Sequence, residues 1–110
     1  MAFGQFTYTI DQTIPVTDAS GIPLTLPWAG GLNAAHYNTI DVNLDGRDDL
    51  LVFDRMADKI SVMLNDDGQY RYAPEYESAF PELANWLLLR DFNCDGKKDI
   101  FTGDAFGIRV

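Results

Sequence analysis

Polar and apolar residues alternate with a period of two along most of the chain, and no apolar stripe of helical period extends to ten residues. Gln5 to Ile10 (Gln-Phe-Thr-Tyr-Thr-Ile) alternates in strand-favouring residue types and is a first strand candidate. Thr17 to Gly21 reads as a turn and Ile22 to Leu26 as a second short strand. Pro15, Pro23 and Pro27 push this region toward edge or ribbon structure, because proline has no N–H to give to a ladder. After a loop at Ala29-Gly30-Gly31 the pattern becomes strand, acidic loop, strand: Tyr37 to Val42, then Asn43 to Asp48, then Asp49 to Phe53. Lys59 to Leu64 is a further strand, Asn65 to Gly68 its closing turn and Tyr70 to Tyr72 a short fourth strand. Pro74 to Pro81 is a connection with room for one helical turn. Trp86 to Arg90 begins the same cycle again, and Gly107 to Val110 reads as the start of another strand. The expected fold is all-β.

A shift of 50 residues lays the second half of this pattern on the first. It pairs Asp41 with Asp91, Asn43 with Asn93, Asp45 with Asp95, Gly46 with Gly96, Asp49 with Asp99 and Asp54 with Asp104, and apolar Leu50 and Leu51 with Ile100 and Phe101. A unit of that length with four short strands has the size of one β-propeller blade. The expected organisation is an N-terminal β-ribbon over 5–31, a first blade-like, four-stranded antiparallel unit over 32–81, and the start of a second over 82–110. Residues 1–4, Met1-Ala2-Phe3-Gly4, read either as the remnant of a signal peptide or as an ordinary N-terminus. Two units are too few to close a propeller of about four to eight blades. Open strand edges are therefore expected to pair with further blades or another chain.

Charge narrows the partners. The 110 residues include 17 Asp or Glu against 8 Lys or Arg, a formal charge of −9. Phosphate backbones are held by clustered cations, so a nucleic-acid partner is not expected. No apolar run nears the roughly 18 residues of a spanning helix, so direct membrane insertion is not expected either. Of the 17 acidic residues 14 are Asp and only Glu75, Glu77 and Glu82 are Glu. Asp is a poor helix former that favours turns, which places the acidity in loops. Cys94 is the single cysteine and has no partner for an internal disulfide.

The acidity concentrates in two copies of Asp-x-Asn-x-Asp-Gly-x-x-Asp, Asp41 to Asp49 and Asp91 to Asp99. Oxygen donors at positions one, three and five of a tight loop can converge on one point, and glycine at position six lets the chain reverse. Asp41, Asn43 and Asp45, the backbone carbonyl of Arg47 and the carboxylate of Asp49 form the first expected donor set. Asp91, Asn93, Asp95, the carbonyl of Lys97 and Asp99 form the second. Hard oxygen donors in this number suit Ca²⁺ better than Zn²⁺ or Mg²⁺. An EF-hand requires an acidic ligand at position twelve, but Val52 and Thr102 stand there and strand-like residues follow position nine. Asn65-Asp66-Asp67-Gly68 lacks the alternating donors and reads as a hairpin turn. Asp54 and Asp104 read as supporting or turn residues. His36 has no nucleophile with which to form a triad, and no catalytic residue is expected. Trp28, Tyr37 and Tyr70 are expected to pack in strands or core, with sugar stacking as the alternative.

With their flanking strands these loops resemble FG-GAP or VCBS repeats, the units of the integrin-α-type β-propeller. The resemblance covers about residues 32 to 110. It implies a non-enzymatic, Ca²⁺-binding segment of a secreted or cell-surface repeat protein, acting in adhesion or as a scaffold, with a protein or glycan partner outside the cell. The Pro-Trp-Ala-Gly-Gly-Leu-Asn stretch at 27–33 is also similar to secreted bacterial proteins of the type 9 secretion route. The alternative expectation is an accessory, glycan-binding propeller segment of a secreted hydrolase, or the N-terminal part of a secretion substrate. Asn at position three departs from the commoner Asp of the family. It lowers the charge of each site and shifts the expected affinity toward about 10⁻⁴ to 10⁻³ M, a range that millimolar extracellular Ca²⁺ fills.

Overall fold

The structure is a computed structural model that describes residues 6–110. The signal-remnant expectation at 1–4 lies outside the described residues, as does Gln5. Among the described residues seven strands form two antiparallel sheets, β1 (Ala35–Ile40), β2 (Asp49–Asp54), β3 (Lys59–Asp66) and β4 (Gln69–Tyr72) in the first, β5 (Leu87–Arg90), β6 (Asp99–Asp104) and β7 (Gly107–Arg109) in the second. Each sheet is a meander in chain order, and a 3₁₀ helix at Pro74–Ala79 joins them. The architecture is all-β and blade-like, as the two-residue alternation and the 50-residue repeat predict.

Turn chemistry sets the register of the first sheet. Asp67 and Gly68 both take positive φ, 53° and 88°, which makes the two-residue hairpin turn whose twist matches its flanking strands. Asp66 then pairs with Gln69, and the ladder runs back through Leu64 opposite Arg71. Strand β1 occupies 35–40 rather than the expected 37–42. Asp41 and Val42 leave the ladder because the acidic loop uses them: the Asp41 carboxylate accepts two loop N–H groups and the Val42 N–H donates to Asp49.

The N-terminal region departs from expectation. Among the described residues it holds, instead of a β-ribbon, one isolated bridge, Thr17 with Pro23, around a turn in which the Asp18 carboxylate accepts from the Ser20 and Ile22 N–H groups. Phe6, Tyr8 and Ile10 are exposed. Alternation alone does not make a strand without a neighbour to accept its ladder, and the prolines remove donors on the other side of the turn.

The core lies in the seam between the sheets. Leu51, Phe53, Val62 and Leu64 share one face of the first sheet, and Leu87 and Leu89 of β5 pack against them with Ala73 and Leu83. Leu88 and Arg90, the alternate positions of β5, face solvent. Val52, Ser61, Met63 and Tyr72, on the opposite face of the first sheet, are also buried. Burial on both faces explains why β2 reads as a continuous apolar run, Leu50 to Phe53, and not as a strict alternation. At one end of the seam the Arg55 guanidinium donates to the Asn85 carbonyl at 3.0 Å and the Asn85 N–H donates to Asp58 at 2.9 Å.

Two residues at the repeat's tail diverge. Asp54 is wholly buried and its carboxylate accepts the N–H groups of Asn33, Ala34 and Met56 at 2.8, 3.2 and 2.9 Å, fastening the entry of β1 to the turn after β2. Its counterpart Asp104 is exposed and, among the described residues, accepts only from its neighbour Ala105. Gly103 replaces Phe53 in the second repeat. A Cβ there would stand 2.9 Å from the Ala84 carbonyl oxygen and 3.1 Å from Trp86 Nε1, so the chain at 84–86 lies directly over β6.

Gly103→Ala is expected to destabilise the fold by about 1–3 kcal/mol, the ordinary cost of forcing atoms into a filled site, read as a lower urea midpoint. The N–H of Asn33 above all, and then that of Met56, hold the Asp54 carboxyl below its ordinary value against the opposing effect of burial. Since the folded value is the lower one, the stabilisation is complete above the unfolded value of about 3.9 and fades as pH falls through the folded value. Urea midpoints measured from pH 6 downward are expected to drop below about pH 4, and Asp54→Asn to lower the neutral-pH midpoint while flattening that drop.

Candidate metal centre

The two acidic loops follow β1 and β5 and lead into β2 and β6. In both, residue four is left-handed, Leu44 at φ 62° and Cys94 at φ 61°, and so is residue six, Gly46 at 86° and Gly96 at 84°. Left-handed backbone is costly for a leucine or a cysteine and is held only where surrounding contacts determine it. Those contacts come from the Asp and Asn side chains at positions one, three and five, which accept hydrogen bonds from the loop backbone. Asp41 accepts from the N–H groups of Asp45 and Gly46 at 3.0 and 2.8 Å, Asn43 Oδ1 from Asp45 N–H at 3.1 Å, and Asp45 Oδ1 from Arg47 N–H at 2.9 Å. In the second loop Asp91 accepts from Asp95 and Gly96 at 3.1 and 2.9 Å, Asn93 from Asp95 at 3.1 Å, and Asp95 from Lys97 at 2.8 Å. The repeat seen in the letters is thus a repeat of hydrogen bonds.

Position nine closes each loop. Asp49 Oδ2 accepts from Val42 N–H at 2.9 Å and Asp99 Oδ2 from Phe92 N–H at 2.8 Å. Asp49 is also wholly buried, and its Oδ1 accepts the Asn65 N–H at 2.8 Å. Asn65, which the sequence places only in a hairpin turn, does more than turn the chain. Its side chain donates to the Asp48 carbonyl and accepts from Gly68 N–H, so it joins the β3–β4 hairpin to the first loop. Nothing local in the letters marks this role, because the partners lie 16 and 17 residues away.

The two loops differ in their cations. Arg47 donates to Asp45 Oδ2 at 3.1 Å and to Asp67 at 2.6 Å, so its guanidinium sits against the position-five carboxylate. The Arg47 N–H above all, helped by Asn43 and the guanidinium, holds the Asp45 carboxyl below its usual range. Lys97, the second loop's counterpart, enters none of the ion pairs among the described residues.

Each loop presents three carboxylates, one amide oxygen and a backbone carbonyl, with neither sulfur nor imidazole in the donor set. That chemistry fits a hard divalent cation such as Ca²⁺. Among the described residues no three His, Cys, Asp or Glu side chains stand together at metal-holding range. The carboxylates are turned onto loop N–H groups, and Asp45 Oδ2 accepts from the Asn43 amide at 3.1 Å. Ion binding in the first loop therefore calls for Asp45 Oδ2 to exchange its Asn43 and Arg47 donors for the cation.

The remaining expected features are scattered. His36 lies on β1 opposite Phe53. Cys94 is exposed at the tip of the second loop. Tyr37 and Tyr70 stand in β1 and β4, as expected of strand residues, but their side chains and that of Trp28 are substantially exposed and not part of the core, and Trp28 donates to the Ile14 carbonyl. A cleft of about 880 Å³ opens beside the seam, lined by residues that include Asp58, Glu77, Glu82, Gly103 and Arg109, away from both loops.

Comparison with known proteins agrees with the repeat. A family model described as FG-GAP-like repeat matches residues 41–102, from the first residue of the first loop to the strand beyond the second. Neither the curated proteins nor the solved structures contain a significant match. The match spans more than half of the chain and covers both loops, so the chain belongs to the FG-GAP-like repeat family.

Proposed function

We propose that the chain is a non-enzymatic, Ca²⁺-binding segment of an extracellular β-propeller-like repeat protein, acting in adhesion or as a scaffold. The observation that carries this reading is the identity of the two loops in donor type, backbone angles and hydrogen bonds, despite different residues at positions two, four, seven and eight. An ordinary surface turn has no need to keep five oxygen donors in the same places twice. The donor charge agrees with an extracellular setting: three carboxylates per loop give a weak site that millimolar Ca²⁺ fills and submicromolar Ca²⁺ does not. Seven of the 17 acidic residues lie in the two loops, and two bound Ca²⁺ bring the formal charge from −9 to −5. An ion in each loop serves as a staple that holds successive strands of a blade, leaving the blade surfaces to a protein or glycan partner.

Thermal melts in Ca²⁺ and in EDTA test the reading. Ligand at about a hundred times its dissociation constant stabilises by roughly 2.7 kcal/mol per site, so melting is expected to rise by several degrees in saturating Ca²⁺. Identical melts in both conditions would sink the ion-binding claim. Asp45→Ala and Asp95→Ala should each remove one site in a calorimetric titration. Arg47→Ala, by freeing the Asp45 carboxylate, is expected to tighten the first site severalfold, whereas Lys97→Ala should leave the second nearly unchanged; equal effects of the two substitutions would show that Arg47 does not compete with the ion.

A further inference from the structure

The two acidic loops lie side by side at one end of the seam, where residues of both, Asp41, Leu44 and Asp48 with Gly96 and Lys98, line a cleft of about 340 Å³. Lys98, position eight of the second loop, joins them. Its ammonium donates to the Thr39 carbonyl at 2.6 Å, to the Thr39 hydroxyl at 3.2 Å and to the Asp48 carboxylate at 3.1 Å. Thr39 stands two residues before the first donor of the first loop, and Asp48 one residue before its last. A cation that belongs to the second loop thus closes the neck of the first. Asp48 and Lys98 occupy the same position of successive repeats, 50 residues apart, and carry opposite charge. The reversal of sign at position eight lets neighbouring loops attract where two copies of either residue would repel.

We propose that Lys98 is a positioning residue that couples the two loops, so that order in one, and with it a bound cation, is transmitted to the other. The cation half of this inference rests on the calcium reading above. The physical basis is shared ordering. An ion in the second loop fixes the backbone at Lys98 and Asp99, and with it the ammonium that holds Thr39 and Asp48. The first loop then surrenders less conformational freedom on taking its own ion, which is positive cooperativity without a change of fold. Linkage makes the effect reciprocal. Repulsion between the two ions opposes it, and in exposed loops salt screens that repulsion.

The test is a Ca²⁺ titration of the whole chain followed through the Gly46 and Gly96 amide resonances, each reporting its own loop. In the wild-type background Asp45→Ala, which takes a donor from the first loop, is expected to weaken second-loop binding by about fivefold. In a Lys98→Met background the same change is expected to leave second-loop affinity unaltered. Second-loop affinity that ignores Asp45→Ala in the wild-type background, or a coupling that survives Lys98→Met, overturns the proposal. Asp41→Asn serves as the donor variant should Asp45→Ala fail to fold. If neither resonance moves by about 10 mM Ca²⁺, well above the range of extracellular modules, the calcium reading fails instead. Coupling is then judged without an ion from a double-mutant cycle of Asp48→Ala and Lys98→Ala in urea, where a non-additive loss supports it and additive losses overturn it.

Discussion

The buried carboxylate of Asp49 is the contact on which the first sheet depends. One oxygen receives the Val42 N–H at the start of the acidic loop and the other the Asn65 N–H near the end of β3. A buried carboxylate without partners is strongly unfavourable, so both segments must be in place before β2 can bury its first residue. Asn65 extends the constraint to the Asp67-Gly68 turn and to the Asp48 carbonyl. Loop, central strands and hairpin are therefore one cooperative unit. A loop held this way takes its shape from hydrogen bonds within the chain.

The second repeat keeps the loop and changes its surroundings. Asp99 retains the bond to the second residue of its loop, whereas Asp104 accepts from Ala105 where Asp54 accepts from Asn33, Ala34 and Met56. Gly103 stands where Phe53 fills the core, and Thr102, in place of Val52, bonds the chain at Ala84 and Trp86 through its hydroxyl. The exchange of a large apolar residue for glycine lets the segment before β5 cross the sheet. Within the repeat, hydrogen-bond geometry is preserved where the backbone makes its acidic turn and gives way where each sheet meets different neighbours.

Much of this was legible in the letters. The strand pattern from β2 onward, the hairpin turn and the two loops follow from local rules: period-two alternation, an Asp-Gly turn and side chains that bond backbone within a few residues. Whether the N-terminal region forms a ribbon is not legible in the sequence: Gln5 to Ile10 has the composition of a strand, while a strand also needs a partner edge that composition does not supply. Strand β1 was displaced by two residues because Asp41 and Val42 suit either a strand end or a loop start. Only the side-chain bonds of the loop decide between them.

The sequence by itself determined the all-β class, the 50-residue repeat and the pattern of Asp, Asn and Gly in both loops, since each is set by residues near one another along the chain. Tertiary structure alone decided that the apolar faces of β2, β3 and β5 meet in one seam, that Arg47 rests on Asp45 and Asp67, and that Lys98 reaches 59 residues back to Thr39. Those contacts depend on the relative placement of two sheets. Packing of the whole seam sets that placement, and no local pattern encodes it.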